Sequence, residues 1–151
     1  DLLLGGGVPV VLFPFFYICI TNNKDLAECL HETNFVNGPA ISVLTRGRDL
    51  IHLGWRLEAS PLYGNLKPNQ QPYRTLVLKC QNGTPGVQVD NYSLQLIESA
   101  IAIYSDSVTR EPGDMTDDIE SDYKYVDFAL MEETLRNCGL LSKTLRRTAG
   151  R

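Results

Sequence analysis

The stretch Trp55–Cys80, WRLEASPLYGNLKPNQQPYRTLVLKC, decides how the sheet of this protein is put together. Its opening WRLEA alternates in polarity and reads as a short strand, and YRTLVLKC at its end is the clearest strand in the chain. Between them, Ser60–Arg74 shows no helical periodicity. That connection is long for a hairpin loop, and it holds Pro61, Gly64, Pro68 and Pro72 together with the cations Lys67 and Arg74. Irregular loops of this length are usually functional or disordered. The prolines, which restrict the unfolded chain, and the aromatics Tyr63 and Tyr73 argue for order. Two strands with no helix between them are either antiparallel neighbours or joined by a loop that crosses the edge of the sheet.

Outward from this stretch, strands and helices alternate. FFYICI, Phe15 to Ile20, is a continuous apolar run of the kind a sheet covers on both faces. It stops at Thr21-Asn22-Asn23, where either asparagine caps a short helix, KDLAECLHE. FV in TNFVNG is a brief second strand. Pro39 suits the first turn of a helix with Ala40, Val43, Leu44, Leu50 and Ile51 on one stripe, and Gly54 ends it. Asp90 or Asn91 opens a long helix through Val108, with Leu94, Ile97, Ala100, Ile101 and Tyr104 on one face. The acidic run from Glu111 to Asp122 reads as a solvated linker, and YKYV, Tyr123 to Val126, as a last short strand. Asp127 then caps a helix that turns Phe128, Met131, Leu135 and Cys138 inward and ends at Gly139. This order predicts an α/β fold, a single-domain layered sandwich with a mainly parallel sheet and one antiparallel strand pair flanking the long loop. Residues 15–139 form the domain, 1–14 a hydrophobic extension and 140–151 a basic tail.

A chain of 151 residues, 43% hydrophobic and 21% charged, buries a core of its own without disulfides or metal. Its net charge of -4 gives it no attraction as a whole for nucleic acid or an anionic membrane. The four cysteines, Cys19, Cys29, Cys80 and Cys138, are scattered, with no C-x-x-C pair, and His31 and His52 lie far from them in sequence. They read as free, mostly buried thiols of a reducing cytoplasm, with no metal site and no cofactor expected. The acidic run lacks the glycine and the closing glutamate of a calcium loop. From Leu2 to Ile20 there is no charge, nearly the length of a bilayer span, but Gly5–Gly7, Pro9 and Pro14 break the run. It also lacks a basic flank and a cleavage site, so it is expected to precede a buried strand, not to cross a membrane. The glycines come before the strand, the wrong order for a dinucleotide loop.

In an α/β sheet, ligands collect beyond the carboxyl ends of strands, where loops meet helix N-termini. Thr21-Asn22-Asn23 and the long loop are placed to meet there. Together they supply the amides of Asn22, Asn23 and Asn69, the hydroxyls of Thr21, Ser60 and Tyr73, a flexible backbone at Gly64, and the cations Lys67 and Arg74. That set suits a carboxylate or phosphate, Arg pairing in a plane and Lys acting as a point charge. On this reading both cations lie outside the core, and replacing either by Met spares the fold while weakening anion binding. The blander readings are a helix cap for the asparagines and solvated charges for the cations. His52 with Ser60 makes no hydrolase, because the G-x-S-x-G elbow is absent. No catalytic residue is assigned; a general base would have to come from Asp49, Glu58 or His52.

ITNN after an apolar strand, IHLGWRLEASPLYGNLKPNQQPYRT, LQLIESAI and YKYVDFALMEETL together resemble the GrdX family. These are small proteins encoded beside the glycine, sarcosine and betaine reductase genes of anaerobic amino-acid-fermenting bacteria. The similarity covers Tyr17 to Leu135, the loop being its most specific part, and leaves the front end and the basic tail outside. The resemblance implies a cytoplasmic accessory to a selenoprotein- and thiol-dependent reductase system, and it brings no catalytic residue with it. The expectation is a non-catalytic protein that binds or senses an anionic metabolite or a protein of the reductase system. The alternative is a small enzyme acting on a carboxylate or phosphate substrate at the same strand-end pocket.

Overall fold

The computed structural model describes residues 2–4, 8–10, 15–64, 67–81 and 88–146. Through them run β1 (Leu2–Leu4), β2 (Val8–Val10), β3 (Phe15–Thr21), α1 (Lys24–Ala27), β4 (Asn34–Phe35), α2 (Ala40–His52), β5 (Arg56–Leu57), β6 (Thr75–Gln81), α3 (Asn91–Ser105) and α4 (Asp117–Asn137). β1 and β2 pair antiparallel with each other, and the remaining strands form one sheet in the order β4-β3-β6-β5.

That sheet is mixed and mostly antiparallel, which corrects the mainly parallel sheet expected from the alternation of elements. Only β3 and β4 run parallel; β6 is antiparallel to both β3 and β5. The cause lies in the stretch from Trp55 to Cys80. β5 reaches β6 without a crossover helix, so the chain reverses. The apolar β6 then takes an interior position, pairing with all of β3 from Phe15↔Gln81 to Thr21↔Thr75. One strand inserted in this way makes two antiparallel neighbours at once.

The period of two along the strands divides the core. Ile20, Leu76 and Leu78 face α2 and α3, where Val43, Leu44, Ile51, Ile97, Ala100 and Tyr104 are buried. Cys19 and Val77 face the other way, toward Leu26 of α1 and Phe128, Met131 and Leu135 of α4. The result is a single α/β domain in layers, helices on both faces of the sheet. Burying each of these large apolar side chains contributes roughly 1.5–3 kcal/mol. α2 comes close to the sheet because Gly47 has no side chain: a Cβ there would lie 2.5 Å from Leu76 Cδ1.

The acidic linker, the YKYV strand and Asp127 as a helix cap are all corrected by α4, one continuous helix from Asp117 to Asn137. The acids Asp117, Asp118 and Glu120 fill its first turn, where the free N–H groups and the helix dipole favour negative charge. Acidity that resembled a solvated linker is thus a helix start. Asp127 lies inside the helix and is buried together with Phe128, Met131 and Leu135. The shorter elements hold to expectation: Asn23 caps α1, Asp90 caps α3, and Gly54 and Gly139 follow α2 and α4 with positive φ. The QNGTPG turn beyond Gln81, the triple glycine and the end of the basic tail past Arg146 lie outside the described residues. Among the described residues no helix is long and apolar enough to cross a membrane.

Candidate functional site

At the carboxyl end of β3, a hydrogen-bonded chain runs through the molecule. The Asn23 amide donates to Thr21 Oγ1 at 3.0 Å, and Thr75 Oγ1 donates to Asp127 Oδ2 at 2.7 Å. Thr75 has a single hydroxyl proton, so across the 2.8 Å contact between the two threonines it is Thr21 that donates. Asn23 Nδ2 gives further bonds to Asp127 Oδ2 at 3.0 Å and to the Lys124 carbonyl at 2.9 Å, while its Oδ1 accepts from the Leu26 amide at 3.2 Å to cap α1. The loop closes the set. Tyr63 donates its phenol proton to Asp127 Oδ1 and accepts from the Thr75 amide at 2.7 Å.

Asn22 and Arg74 tie the same loop down a second time. Asn22 Nδ2 donates to the Gly38 and Pro72 carbonyls, each at 3.0 Å, and its Oδ1 accepts from the Arg74 amide at 2.9 Å. The Arg74 side chain is 1% exposed. Its Nε donates to the Tyr104 hydroxyl at 2.6 Å and Nη1 to the Tyr63 carbonyl at 3.2 Å. The guanidinium carbon stands 4.9 Å from the centre of the Tyr63 ring and 5.6 Å from that of Tyr104. Cation–π contact suits a weakly hydrated guanidinium in a dry place. Arg74 is therefore not the loop cation outside the core that the sequence suggested; it is part of the core.

Burial raises the Asp127 carboxyl above its ordinary range, and the bonds from Tyr63, Asn23 and Thr75 together with the charge of Arg74 pull it part of the way back. Burial likewise holds the Tyr63 phenol well above its ordinary value, with Asp127 adding to the effect, so it stays protonated and able to donate. Among the described residues every buried side-chain nitrogen and oxygen has a partner.

Of the residues singled out from the sequence, Thr21, Asn22, Asn23 and Arg74 are thus brought into one buried network. Tyr73 is buried beside it, its amide bonded to Gln71 Oε1 at 3.0 Å. Gly64 turns with φ +73°, close against Leu130. Ser60, Lys67 and Asn69 are exposed. Ser60 Oγ bonds to the backbone of Leu62, and the Lys67 amide to Gln70 Oε1 at 2.9 Å. The sequence reading missed Tyr63, Thr75, Tyr104 and Asp127. Asp127 left a signal: it shares a stripe with Met131 and Leu135, an acid on the apolar face of a helix.

The bases considered for an enzyme stand apart from this network: Asp49 and His52 are exposed on α2, and Glu58 pairs with Lys79 at 3.2 Å. Cys19, Cys29 and Cys80 are buried and Cys138 half-buried, all as free thiols. Burial raises the thiols of all four, Cys138 to about 11, the opposite of nucleophilic activation. Among the described residues no group of His, Cys, Asp and Glu is close enough to hold a metal ion. A small cleft of about 130 Å³ borders the network at Tyr104, and two larger open clefts lie away from it. One of about 490 Å³ is lined by Tyr17, Cys19, His31, Glu32 and Asn34, and one of about 450 Å³ by Phe15, Phe16, Asn137 and Cys138.

The fold therefore defines a small α/β protein whose long loop is anchored on a sealed polar network. The family model of GrdX-like proteins matches residues 18–136, and the chain belongs to that family. The match includes β3 from Ile18 onward, the loop, the network and nearly all of α4. No curated protein and no solved structure matches the chain.

Proposed function

We propose that this chain is a non-catalytic accessory protein of glycine-reductase-type amino-acid fermentation, acting in the cytoplasm by docking a protein of the reductase system on the outer face of the Ser60–Arg74 loop. One observation carries the reading. The chemistry-bearing side chains at the strand ends bond to one another at the base of the loop, so they hold its shape and are not turned toward a substrate. What the loop turns outward is Ser60, Lys67, Asn69 and Gln70. A surface fixed in advance loses little freedom on binding, which favours recognition of a partner. The reductase setting is the one the family resemblance implies.

The test presents the purified components of a glycine reductase, one at a time, to the immobilised full chain. At least one is expected to bind, and combining Lys67→Glu with Asn69→Ala is expected to weaken it by about tenfold or more without lowering the melting temperature. Full affinity in that variant, or no binding by any component, overturns the reading. A second reading, an anion site in the same place, draws support from Tyr63. Its carbonyl and hydroxyl take up the Arg74 guanidinium and the Thr75 amide, two donors that a carboxylate would bind if the tyrosine moved aside. A thermal-shift screen of carboxylate and phosphate metabolites tests it, a shift lost in Arg74→Lys being the supporting result.

A further inference from the structure

One edge of the main sheet is open. β4 pairs with β3 only at Ile20 and Thr21, so Phe15–Cys19 have β6 on one side and, among the described residues, no strand on the other. The Val36 amide donates to the Thr21 carbonyl at 2.8 Å, which fixes the sense of the alternation. The backbone groups of Thr21, and so those of Phe15, Tyr17 and Cys19, point away from β6. The clefts of about 490 and 450 Å³ flank this edge and share Tyr17 and Leu140, which leaves room for another strand. Native sheets guard such an edge with charge or proline; from Phe15 to Cys19 there is neither.

The same chain carries a second incomplete sheet. β1 and β2 pair with each other and with no other described strand, and a two-stranded hairpin is marginal alone in water. Proline tells its two edges apart. Pro9 has no N–H, so Leu3↔Pro9 is the pair without hydrogen bonds, and the bonds join Leu2 to Val10 and Leu4 to Val8. The free edge of β2 therefore meets any neighbour with Pro9, where the donor is missing. The free edge of β1 presents Leu3, with both its N–H and its C=O.

We propose that two copies of the chain exchange these hairpins, β1 of each adding antiparallel to the open edge of β3 in the other, with Leu3 and Tyr17 sharing both backbone bonds. One two-fold axis then fills the open edges of both copies at once. The short link between β2 and β3 selects the second copy. Residues 11–14 join the two strands directly, which suits β2 as the neighbour of its own β3, but on the edge that Pro9 spoils. Setting β1 there antiparallel within one chain would make β2 run parallel to β3, and parallel strands need a connection of roughly a dozen residues or more. Four residues fully extended reach about 14 Å, close to three strand spacings, enough to carry the hairpin onto a facing copy. No charge occurs from Leu2 to Ile20, so nothing in either strand repels the other.

Sedimentation of the full chain from about 5 to about 500 μM, with hydrogen exchange of single amides at both ends of that range, is the test. The mass is expected to climb from the 16.9 kDa monomer toward twice that value. Exchange at the Tyr17 amide is expected to slow by about tenfold or more, while the Ile18 amide, turned toward β6, is unchanged. Leu3→Pro removes the donor from the free edge of β1 and spares the bonds at Leu2 and Leu4. It is expected to weaken association by about tenfold or more with the melting curve unmoved, the hairpin standing outside the core. A chain that stays monomeric at the highest concentration overturns the proposal. A Tyr17 amide already slow in the dilute monomer overturns it in favour of the chain's own hairpin, and one still fast in the dimer overturns it in favour of another face. Association undiminished in Leu3→Pro overturns the hairpin as the occupant of the edge.

Discussion

Arg74 and Lys67 belong to the same loop and carry the same charge, but they do opposite things. Lys67 is exposed, and among the described residues only its backbone is hydrogen-bonded. Arg74 is sealed between two tyrosine rings, with Tyr104 accepting from its Nε and Tyr63 from Nη1. The difference comes from what each can find at its place in the chain. Arg74 directly precedes β6, so its backbone is held by Asn22 and its side chain is carried over the ends of the interior strands. A guanidinium sheds water more readily than an ammonium and offers several donors in one plane, which lets aromatic faces and oxygens replace its hydration. A cation in a loop is therefore a statement about charge, not about exposure.

The sharpest way to break this comparison is to replace both residues by Met and compare melting curves. Arg74→Met removes the charge that faces Asp127 and leaves polar partners buried and unmatched. The expected cost is about 3–5 kcal/mol, roughly 10 °C or more in melting temperature for a chain of this size. A change no larger than that of a surface residue would put Arg74 back among the loop cations. Tyr63→Phe is expected to come next, at about 1–3 kcal/mol, because it strips one donor from Asp127 and leaves the Thr75 amide without its acceptor.

Titration of Asp127 sharpens the contrast between buried and solvated charge. Burial places its folded pKa above the unfolded one, so its contribution to stability is full below about pH 3.9 and is lost as pH rises through the folded value. The stability advantage of the wild type over Asp127→Asn, from denaturant melts at several pH values, is expected to shrink as pH rises from about 4. An advantage that grows instead would mean that the donors around the carboxylate outweigh its desolvation. Lys67→Met has the smallest expected effect, a stability unchanged to within roughly 0.5 kcal/mol.

The parts of the fold that were legible in the sequence are those where one period dominates. β3 and β6 announce themselves as unbroken apolar runs, and α2 and α3 as stripes that end at a glycine or begin at an aspartate cap. The sheet order was not legible, since pairing between β3 and β6 joins residues far apart in the chain and no local pattern records it. The first half of α4 was hidden by its own acids, which suit both water and a helix start. At the site, Thr21, Asn22, Asn23 and Arg74 could be named because polar residues next to a strand end stand out. Tyr63, Thr75 and Tyr104 could not, because each sits in a segment where an aromatic or polar residue is unremarked until its partner is known; Asp127 showed only as an acid on the apolar face of a helix.

The network that anchors the loop also bears on time. It joins residues as much as 104 positions apart, Asn23 to Asp127, with Tyr63 and Asp127 64 apart and Thr21 and Thr75 54 apart. Contacts of such long range form only after the sheet and α4 have met, since the entropy of closing those loops comes first. Interactions absent from the transition state act on the unfolding rate and leave refolding almost untouched. The strand-end network is therefore a kinetic clasp: it governs how long a folded molecule survives between openings, and so its exposure to proteolysis, more than how quickly a new chain finds the fold.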